Sequence, residues 1–410
     1  MTNKFFFLAA AVTLLAACGT DTSEPEATLD YDAEAQRIAR TSIIVDTHID
    51  APMRAAMMPV DFSAATPGGD FDYPRALAGA LNAPFMSIYT PASYEAEGKS
   101  RAAADQLIDL VEGFVTSAPD KFAIATSVAD VRTHFEAGLI SLPMGMENGS
   151  PIEGNLETLR HFYDRGIRYV TPTHSLSNHL SDSSYDENRQ WDGLSEFGKE
   201  AIQEMNRIGM MVDVSHVSDD AFWQIMDITT VPVIASHSSC RHFTPGFERN
   251  MSDDMIVALA ANGGVIQINF GSTFVSQEAL EYGEARMEAG KEYQAQHPEL
   301  GERYMWTEYP KIYAQEHGPL PFATLDTVLE HFDHVVKLVG VDHVGIGSDY
   351  DGVGDSLPTG LKDVSSYPNL VAGLLKRGYS EEDVRKILGE NLLRVWQAVE
   401  DYAATTSSNT

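Results

Sequence analysis

Short apolar runs alternate with longer amphipathic stretches along most of this chain of 410 residues. The runs are rich in Ile, Val, Met and Ala, as expected of strands that are buried on both faces of a parallel sheet. We predict eight such strands: Ser42–Val45, Pro84–Ile88, Leu139–Met144, Tyr169–Thr171, Met210–Val214, Val231–Ala235, Gly264–Asn269 and His343–Gly347.

Helix-like segments fill most of the intervals between these runs. Leu194–Ile208 has apolar side chains at helical spacing and is followed by Gly209, the expected stop. Ser380–Val399 begins with a good N-cap residue, followed by three acidic residues that suit a helix N-terminus. Strand and helix alternate about eight times, which favours an α/β fold with a single (β/α)8 TIM-type barrel over a doubly wound sheet.

The longest interval, residues 271–342, lies between the seventh and eighth predicted strands. Its charged sequence predicts a helical insertion. The insertion either covers the mouth of the barrel or forms a contact between the subunits of a homodimer, and the sequence does not decide between these. Residues 403–410 form a polar end that predicts a disordered tail.

The N-terminus has the features of an export signal. An apolar stretch, Phe5–Ala17, follows Lys4 and is too short to span a bilayer comfortably. The sequence LAAC, ending in Cys18, resembles a bacterial lipobox, and an ordinary signal peptide with an incidental cysteine is the alternative. We predict a signal peptide over 1–17, a lipidated tether over 18–35, the barrel domain over 36–402 and the tail. Gly19 after the cysteine favours the bacterial outer membrane or another periplasm-facing membrane surface.

The formal charge of −32 narrows the range of partners. Such a chain repels the phosphates of nucleic acid and the headgroups of anionic lipids, which leaves a lipid anchor as the predicted membrane contact. If Cys18 carries lipid, Cys240 is the second and last cysteine, and no intramolecular disulfide can form. A small buried thiol is the favoured interpretation of Cys240 over a role near a metal.

Histidines and acidic residues follow most of the predicted strands. Because the carboxyl ends of barrel strands meet at one face, these side chains predict one shared metal site. His48 and Asp50 are two residues apart and point to the same side, while Glu147 is a carboxylate that could bridge two cations. The full set is Asp46, His48, Asp50, Glu147, His174, His216, His237 and Asp349.

Longer motifs around these residues resemble those of the membrane dipeptidases, the renal-dipeptidase-like zinc peptidases of the amidohydrolase superfamily. The resemblance extends from about Ile43 to Val395. It rests on VDTHID, GMENG, YVTPTHS, GLSEFGKEAI, MVDVSH, VIASHSS, ERN, HVGIGSDYDG and GENLLRV.

The resemblance implies a role for each matching residue. Two Zn²⁺ ions per subunit would be held by His48 and Asp50 on one side and by His216 and His237 on the other, with Glu147 as the bridging carboxylate. His174 would contact the substrate carbonyl oxygen, Arg249 would receive the free C-terminal carboxylate of the substrate, and Asp349 would act as the acid and base.

Two departures from the family pattern affect the substrate end of the site. The stretch between His237 and Arg249 is slightly longer than in the family, so Arg241 is the alternative carboxylate ligand. Gly271 stands where the mammalian enzyme has Tyr.

Three further residues near the motifs receive supporting roles. We expect Asp46 to orient a histidine ligand. Asp351 and His179 lie near the site in sequence, and a structural role is the favoured interpretation of each.

Together these features predict a zinc-dependent dipeptidase on the periplasmic face of a bacterial membrane. A hydroxide generated at the metals would attack the peptide carbonyl, His174 would stabilise the oxyanion and Asp349 would transfer protons. The resemblance includes dipeptides with a C-terminal D-residue among the possible substrates. The alternatives are a related amidohydrolase for another amide, an N-acyl amino acid or a lactone, and a non-catalytic surface lipoprotein. GxSxG and HExxH are both absent.

Overall fold

The strands begin where the apolar runs of the sequence become continuously buried. In the computed structural model, which describes residues 30–407 together with residues 1, 2 and 4, the described strands are all short and parallel to their neighbours. They are β1 Val45–Ile49, β2 Ala83–Tyr89, β3 Phe122–Ile124, β4 Ile140–Leu142, β5 Met144–Glu147, β6 Ile167–Thr171, β7 Met211–Val212, β8 Ile234–Ser238, β9 Val265–Ile268 and β10 Val344–Ile346.

Helices separate most of these strands in the described part of the chain. They are α1 Tyr31–Thr41, α2 Ala51–Met57, α3 Tyr73–Gly79, α4 Ser93–Glu97, α5 Ser100–Ser117, α6 Val128–Ala137, α7 Leu156–Asp164, α8 Glu196–Ile208, α9 Asp219–Ile228, α10 Asp253–Ala261, α11 Ser272–Val275, α12 Gln277–Gln296, α13 Glu302–Thr307, α14 Tyr309–His317, α15 Leu325–Val339, α16 Tyr367–Lys376, α17 Glu381–Arg385 and α18 Asn391–Ser407. Within residues 30–407, no helix combines the length and hydropathy needed to cross a membrane.

The strands form a curled parallel sheet in two continuous parts. One part has the order β1-β2-β5-β6-β7 and the other has the order β10-β9-β8. Single parallel bridges join the parts at Asp213–Ile234 and at Ile49–Tyr350. The remaining pair, β3 and β4, forms a separate two-stranded sheet. The fold is therefore the predicted α/β barrel, and the carboxyl ends of its strands face a common centre.

The interior of the barrel is filled by large side chains from successive strands. Phe85 of β2 contacts both Tyr169 of β6, at 5.5 Å between ring centroids, and Trp396 of α18, at 5.4 Å. Tyr169 fits because its neighbour on β5 is Gly145, where an added Cβ would lie 1.9 Å from the tyrosine ring. This packing directs the Tyr169 hydroxyl toward the carboxyl end of β1, where it accepts or donates hydrogen bonds at His48 and Thr47.

Three strand predictions need correction. The strand predicted at Val231–Ala235 runs over Ile234–Ser238, so His237 lies inside the strand and not beyond its end. The first strand runs over Val45–Ile49 and not over Ser42–Val45, so that His48 is inside the strand and not beyond its end. The predicted strand Leu139–Met144 divides at Pro143 into β4 and β5, and only β5 belongs to the barrel sheet. β3, which pairs with β4, was not predicted from the sequence because its run of three residues gives no clear period.

Both predicted helices exist with altered bounds. α8 begins at Glu196, directly after its N-cap Ser195, and ends at Ile208. The C-cap residue Gly209 has a left-handed backbone conformation with φ 87°. Ser380 is the N-cap of α17, and Asp383 completes a capping box with it. The second prediction, one continuous helix over Ser380–Val399, is wrong in its continuity. A π-helical segment, Lys386–Glu390, separates α17 from α18.

The ordered domain extends further in both directions than predicted. α1 starts at Tyr31 and buries Ala35, Ile38 and Ala39, so the tether predicted for 18–35 does not reach residue 35. α18 continues to Ser407, and the disordered tail predicted for 403–410 is wrong over residues 403–407. Cys18 and the predicted signal peptide lie outside the described residues, apart from residues 1, 2 and 4.

The insertion between β9 and β10 is helical, as predicted. It contains α11 to α14 before α15 returns the chain to the barrel. Tyr282 of α12 packs on Tyr313 of α14 at 5.4 Å between ring centroids, which joins the inserted helices to each other. Phe274 of α11 connects the insertion to the barrel mouth, because its carbonyl accepts a hydrogen bond of 2.7 Å from Asn250.

Candidate metal centre and active site

Glu147, the last residue of β5, lies buried among four histidine rings. Its Oε2 is 3.3 Å from His48 Nε2. Its Oε1 is 3.1 Å from His216 Nε2, 3.2 Å from His237 Nε2 and 3.6 Å from His174 Nε2. The two carboxylate oxygens therefore face different histidines, as required of a ligand shared by two cations.

The donors divide into two groups around this carboxylate. On the Oε2 side, His48, Asp50 and Asp349 each offer an atom within 4.8 Å of the others, and His48 Nε2 is 3.4 Å from Asp50 Oδ2. On the Oε1 side, the Nε2 atoms of His216 and His237 are only 2.9 Å apart. All five metal ligands expected from the sequence are thus brought together.

The chemistry of these donors fits a metal centre. Imidazole nitrogens and carboxylate oxygens are the ligands that Zn²⁺ prefers, alongside thiolates. His48 Nε2 is buried and has no hydrogen-bond partner within the described residues, which is costly unless a cation receives its lone pair. The Nε2 atoms of His48, His216 and His237 all lie within 3.3 Å of the Glu147 carboxylate. Bound cations would explain this crowding as well.

Two of the candidate residues have a backbone conformation that is uncommon for side chains other than glycine. His216, after β7, has φ 67°, and Asp349, after β10, has φ 64°. Such left-handed positions cost free energy and are concentrated at functional sites. They turn each side chain inward directly after its strand.

The orientation of His48 is fixed by Tyr169. The Tyr169 hydroxyl donates to the Thr47 carbonyl at 2.9 Å, so it accepts a hydrogen bond from His48 Nδ1 at 3.0 Å. This arrangement places the imidazole proton on Nδ1 and leaves the Nε2 lone pair free for a metal.

His237 is oriented through a hydroxyl in the same way. Ser236 Oγ donates to Asp213 Oδ2 at 2.6 Å and accepts from His237 Nδ1 at 2.7 Å. His237 Nε2 is therefore also the free nitrogen. Neither Tyr169 nor Ser236 was predicted from the sequence. For Asp213 and Ser236, the available signal was their position within the ligand motifs VDVSH and VIASHSS.

Asp46 does not orient a histidine ring, contrary to the prediction. Its Oδ1 accepts the backbone N–H groups of His48, at 3.1 Å, and of Ser348, at 3.0 Å, and its Oδ2 accepts from the Tyr367 hydroxyl. Asp46 therefore ties the backbone of β1 to the segment after β10. Burial raises the pKa of this carboxyl, and the three hydrogen bonds oppose the rise.

The two carboxyl groups of the centre differ in their protonation behaviour. Burial would raise the pKa of Glu147, but the surrounding imidazole rings of His48, His174, His216 and His237 stabilise its ionised form and hold the pKa well below the usual range. Burial, with the charges of Asp50 and Glu147, raises the pKa of Asp349 to about 7. A carboxyl group with a pKa near 7 is suited to both accepting and donating a proton.

Arg249 reaches the centre, and Arg241 does not. The buried Arg249 guanidinium donates to Ser238 Oγ at 2.9 Å and to the His237 carbonyl at 2.8 Å, and it lies 3.0 Å from His216 Nε2. Arg241 is bound instead by both carboxylate oxygens of Asp219, at 2.6 and 2.7 Å. Of the two arginines, Arg249 is the one that the structure places beside the candidate metal ligands.

His174 and a row of aromatic rings line the opening of the site. His174 follows β6, and its ring lies 4.4 Å from the His216 ring. Tyr185 is 41% exposed, and its ring centroid lies 6.0 Å from that of His216 and 6.0 Å from that of Phe247. The Phe247 and Phe274 ring centroids are also 6.0 Å apart. Tyr185, Phe247 and Phe274, referred to below as the aromatic row, were not predicted from the sequence.

The residues expected to have structural roles make contacts outside the centre. Asp351 pairs with Arg54 at 3.1 Å, and His179 contacts Glu95 at 2.6 Å. Cys240 is a buried free thiol. Gly271 places no side chain at the mouth, and an added Cβ there would meet Phe274 at 2.8 Å.

Comparison with known proteins agrees with this geometry. The model of the membrane dipeptidases, peptidase family M19, matches residues 32–410. The chain belongs to the membrane dipeptidase family. It is 32% identical over 324 residues to an uncharacterised dipeptidase of Schizosaccharomyces pombe, covering 78% of this chain and 69% of that one. Family membership makes the chain a peptidase of the hydrolase class, and the clustered donor groups fit a metal-dependent one.

Solved structures of dipeptidases share the fold of this family member. The probable dipeptidase PvdM of Pseudomonas aeruginosa is 26% identical with a TM-score of 0.76, over 91% of this chain and 99% of that chain. A Rhodobacter sphaeroides metallopeptidase, crystallised with a phosphinate mimic of L-Ala-D-Ala, is 23% identical with a TM-score of 0.71, over 87% and 99%. The second likeness bears on the fold alone.

Proposed function

We propose that this protein is a zinc-dependent dipeptidase that hydrolyses free dipeptides at a centre of two metal ions. His48 and Asp50 would hold one Zn²⁺, His216 and His237 the other, and Glu147 would bind both. The observation that carries the proposal is the position of Glu147, whose Oε2 lies 3.3 Å from His48 Nε2 and whose Oε1 lies 3.1 Å from His216 Nε2 and 3.2 Å from His237 Nε2.

The metals and the protein supply different parts of the chemistry. When bound, two divalent cations at this position lower the pKa of a shared water and polarise the carbonyl of the scissile peptide. Asp349 accepts the proton of the attacking water and passes it to the leaving amine, which its pKa of about 7 allows. Asn269 donates a hydrogen bond of 2.7 Å to Asp349 Oδ2 and so aims the second oxygen into the site.

His174 is placed to stabilise the negative charge that develops on the carbonyl oxygen. Burial lowers the pKa of His174, so the ring is neutral and donates one N–H without adding a charge to the resting site. A donor that is fixed before the reaction begins stabilises the transition state more than the ground state.

Arg249 would bind the C-terminal carboxylate of the substrate. Its Nε is buried without a hydrogen-bond partner within the described residues, which leaves a donor for a ligand. The guanidinium also lies 5.5 Å from the centre of the Phe274 ring, at one end of the aromatic row. A carboxylate held at Arg249 would place the side chain of the C-terminal residue against Phe274, Phe247 and Tyr185.

Metal analysis combined with a substrate panel tests the proposal. After dialysis against zinc-free buffer, the purified protein should retain two equivalents of zinc and hydrolyse L,L- or L,D-dipeptides, while longer peptides, N-acyl amino acids and lactones should be poor substrates. Hydrolysis of a lactone or an N-acyl amino acid in preference to every dipeptide would contradict the assignment. A protein that binds no metal and remains inactive after zinc addition would be a non-catalytic binding protein.

We further propose that the protein is exported and anchored through a lipid on Cys18, as the lipobox-like sequence indicates. Membrane fractionation of cells that express the wild type and Cys18→Ser tests this. The wild type should sediment with membranes, and the variant should appear in the soluble periplasmic fraction or keep its uncleaved signal. Equal distribution of both proteins, with the signal removed from each, would contradict the anchor.

A further inference from the structure

Metal-ligand side chains also meet in a second place, at the surface of the barrel. His242, Asp253 and His334, referred to below as the surface cluster, each offer one ligand atom within 4.8 Å of the other two. They come from three separate segments. His242 lies in the 3-10 turn Arg241–Phe243, Asp253 is the first residue of α10, and His334 lies within α15.

The side chains of the surface cluster already point toward one another. His334 Nε2 is 2.8 Å from Asp253 Oδ1. The rings of His242 and His334 stack with centroids 4.4 Å apart and planes inclined by 20°. His242 is exposed, and the side chains of Asp253 and His334 are 46% and 16% exposed, so a cation can approach from solvent.

Two imidazoles and a carboxylate form a complete set of protein ligands for an open tetrahedral zinc site. In such a site, two ligating nitrogens lie about 3.3 Å apart, as follows from Zn–N distances of about 2.0–2.1 Å. The partly exposed side chains of the surface cluster reach this spacing by small rotations. The chain's net charge of −32 favours the approach of a cation.

The start of α10 imposes an electrostatic requirement on such a site. The N-terminus of a helix carries a partial positive charge that repels cations. Asp253 and Asp254 both lie in the first turn of α10 and oppose that charge. A hydrogen bond from His334 to Asp253 would account for two members of the surface cluster, but it does not account for the exposed His242 ring stacked above them.

We propose that His242, Asp253 and His334 bind one additional divalent transition-metal ion, with Zn²⁺ as the first candidate. The ion would tie the loop after β8 to α15. That loop, residues 240–251, carries Arg249, and its first residue already donates a backbone hydrogen bond of 3.1 Å to His331 of the same helix. The ion would therefore reinforce an existing junction, and its main effects are on metal content and thermal stability.

Zinc stoichiometry measured by equilibrium dialysis tests the site in four proteins: the wild type, His334→Gln, His242→Gln and the control His297→Gln. His297 is a matched control because its side chain is 42% exposed and lies 3.5 Å from one carboxylate, Glu299, while the described residues place no third ligand atom beside the pair. The wild type and the control should bind one more Zn²⁺ per chain than the two cluster variants. The centre around Glu147 is present in all four proteins, so this difference does not depend on it.

Equal zinc stoichiometry in all four proteins would overturn the proposal. Thermal unfolding with and without added Zn²⁺ provides the second measurement. Zinc should raise the Tm of the wild type and the control more than that of the cluster variants, and equal shifts would also count against the site. His242→Gln keeps the test valid if His334→Gln fails to fold, because His242 is exposed and its ring contacts are limited to Phe243 and His334 within the described residues.

Discussion

The centre around Glu147 and the surface cluster use the same residue types in different surroundings. At the centre, His48 and His237 are buried, and the Nδ1 atom of each is held by a hydroxyl group at 3.0 or 2.7 Å. In the surface cluster, His242 is exposed and oriented by ring stacking. The comparison shows that the partners behind the ligands, more than the ligands themselves, distinguish a preorganised centre from a collection of donors.

This difference predicts different affinities for metal. Ligands whose rings are already fixed lose little conformational freedom on binding, whereas exposed side chains must be ordered first. We therefore expect the centre to retain zinc through dialysis and the surface cluster to release it more readily.

Replacing Glu147 by Gln should have the largest effect. The amide has one neutral acceptor oxygen and cannot bridge two cations, so several kcal/mol of transition-state stabilisation should be lost. We expect turnover of a dipeptide to fall by more than about a thousandfold. Steady-state kinetics and elemental analysis should both register the change.

Glu157→Gln is the control for this variant, because the Glu157 side chain is 80% exposed and lies on α7. It should retain wild-type kinetics and zinc content. Full activity and two zinc equivalents in Glu147→Gln would rule out the shared carboxylate.

Asp349→Asn should lower kcat by about 10²–10⁴-fold, the usual contribution of general acid–base catalysis. The pH profile adds a second readout. Because the pKa of Asp349 is raised to about 7, the wild-type carboxyl becomes protonated as the pH falls through 7 and can no longer accept a proton. Wild-type activity should therefore decline on the acid side of pH 7. The same acid limb in the residual activity of Asp349→Asn would assign the proton transfer to another group.

Arg249→Ala should raise KM for dipeptides at least about tenfold, the scale expected for a lost hydrogen bond between charged groups. Arg241→Ala is a matched control from the same loop. Arg241 is paired with Asp219 and donates to the carbonyls of Glu248 and Asn250 on either side of Arg249, so its loss should reduce thermal stability and raise KM less than the loss of Arg249 itself. An unchanged KM in Arg249→Ala would favour a substrate without a free carboxylate.

Tyr169→Phe tests the partner behind a ligand. The ring that packs on Gly145 is kept, but His48 Nδ1 loses its hydrogen-bond acceptor. Zinc affinity should fall about 10–100-fold, as measured by competition with a chelator. An unaltered affinity would show that the barrel packing alone orients His48.

His242→Gln should have the smallest effect on catalysis. Exposed substitutions change free energies by about 0.5 kcal/mol or less, so kcat should remain within about twofold of the wild type. A large loss of kcat with normal zinc content would mean that the surface cluster is coupled to the chemistry. The centre around Glu147 and the surface cluster would then not be independent of each other.

The ligands of the centre could be predicted because their positions follow from chain order. His48, Glu147, His216 and His237 lie at or just after the apolar runs, and a parallel barrel brings such positions to one face. The exact bounds of a single strand are harder to predict from the sequence. The first strand begins three residues later than predicted, because the apolar residues Ile43 and Ile44 precede the segment that pairs with β2, and that segment contains Asp46, Thr47 and His48.

The supporting partners could not be predicted, because they depend on contacts between distant segments. Asp46 lies beside a ligand in sequence but bonds to backbone groups, including one at Ser348. Either Arg241 or Arg249 could have faced the site, and Asp219 on the preceding helix α9 binds the first of them. Tyr169 reaches His48 across the barrel, and its motif YVTPTHS gives no sign of that contact.

Gly145 shows how a residue without a side chain can be indispensable to a metal centre. The volume that a methyl group would occupy at this position is taken by the Tyr169 ring, which holds His48 in place. Even Gly145→Ala would therefore displace the tyrosine, although neither residue touches metal or substrate. The two positions are constrained to vary together, and a mutational scan would find a strict requirement at a position that bears no functional group.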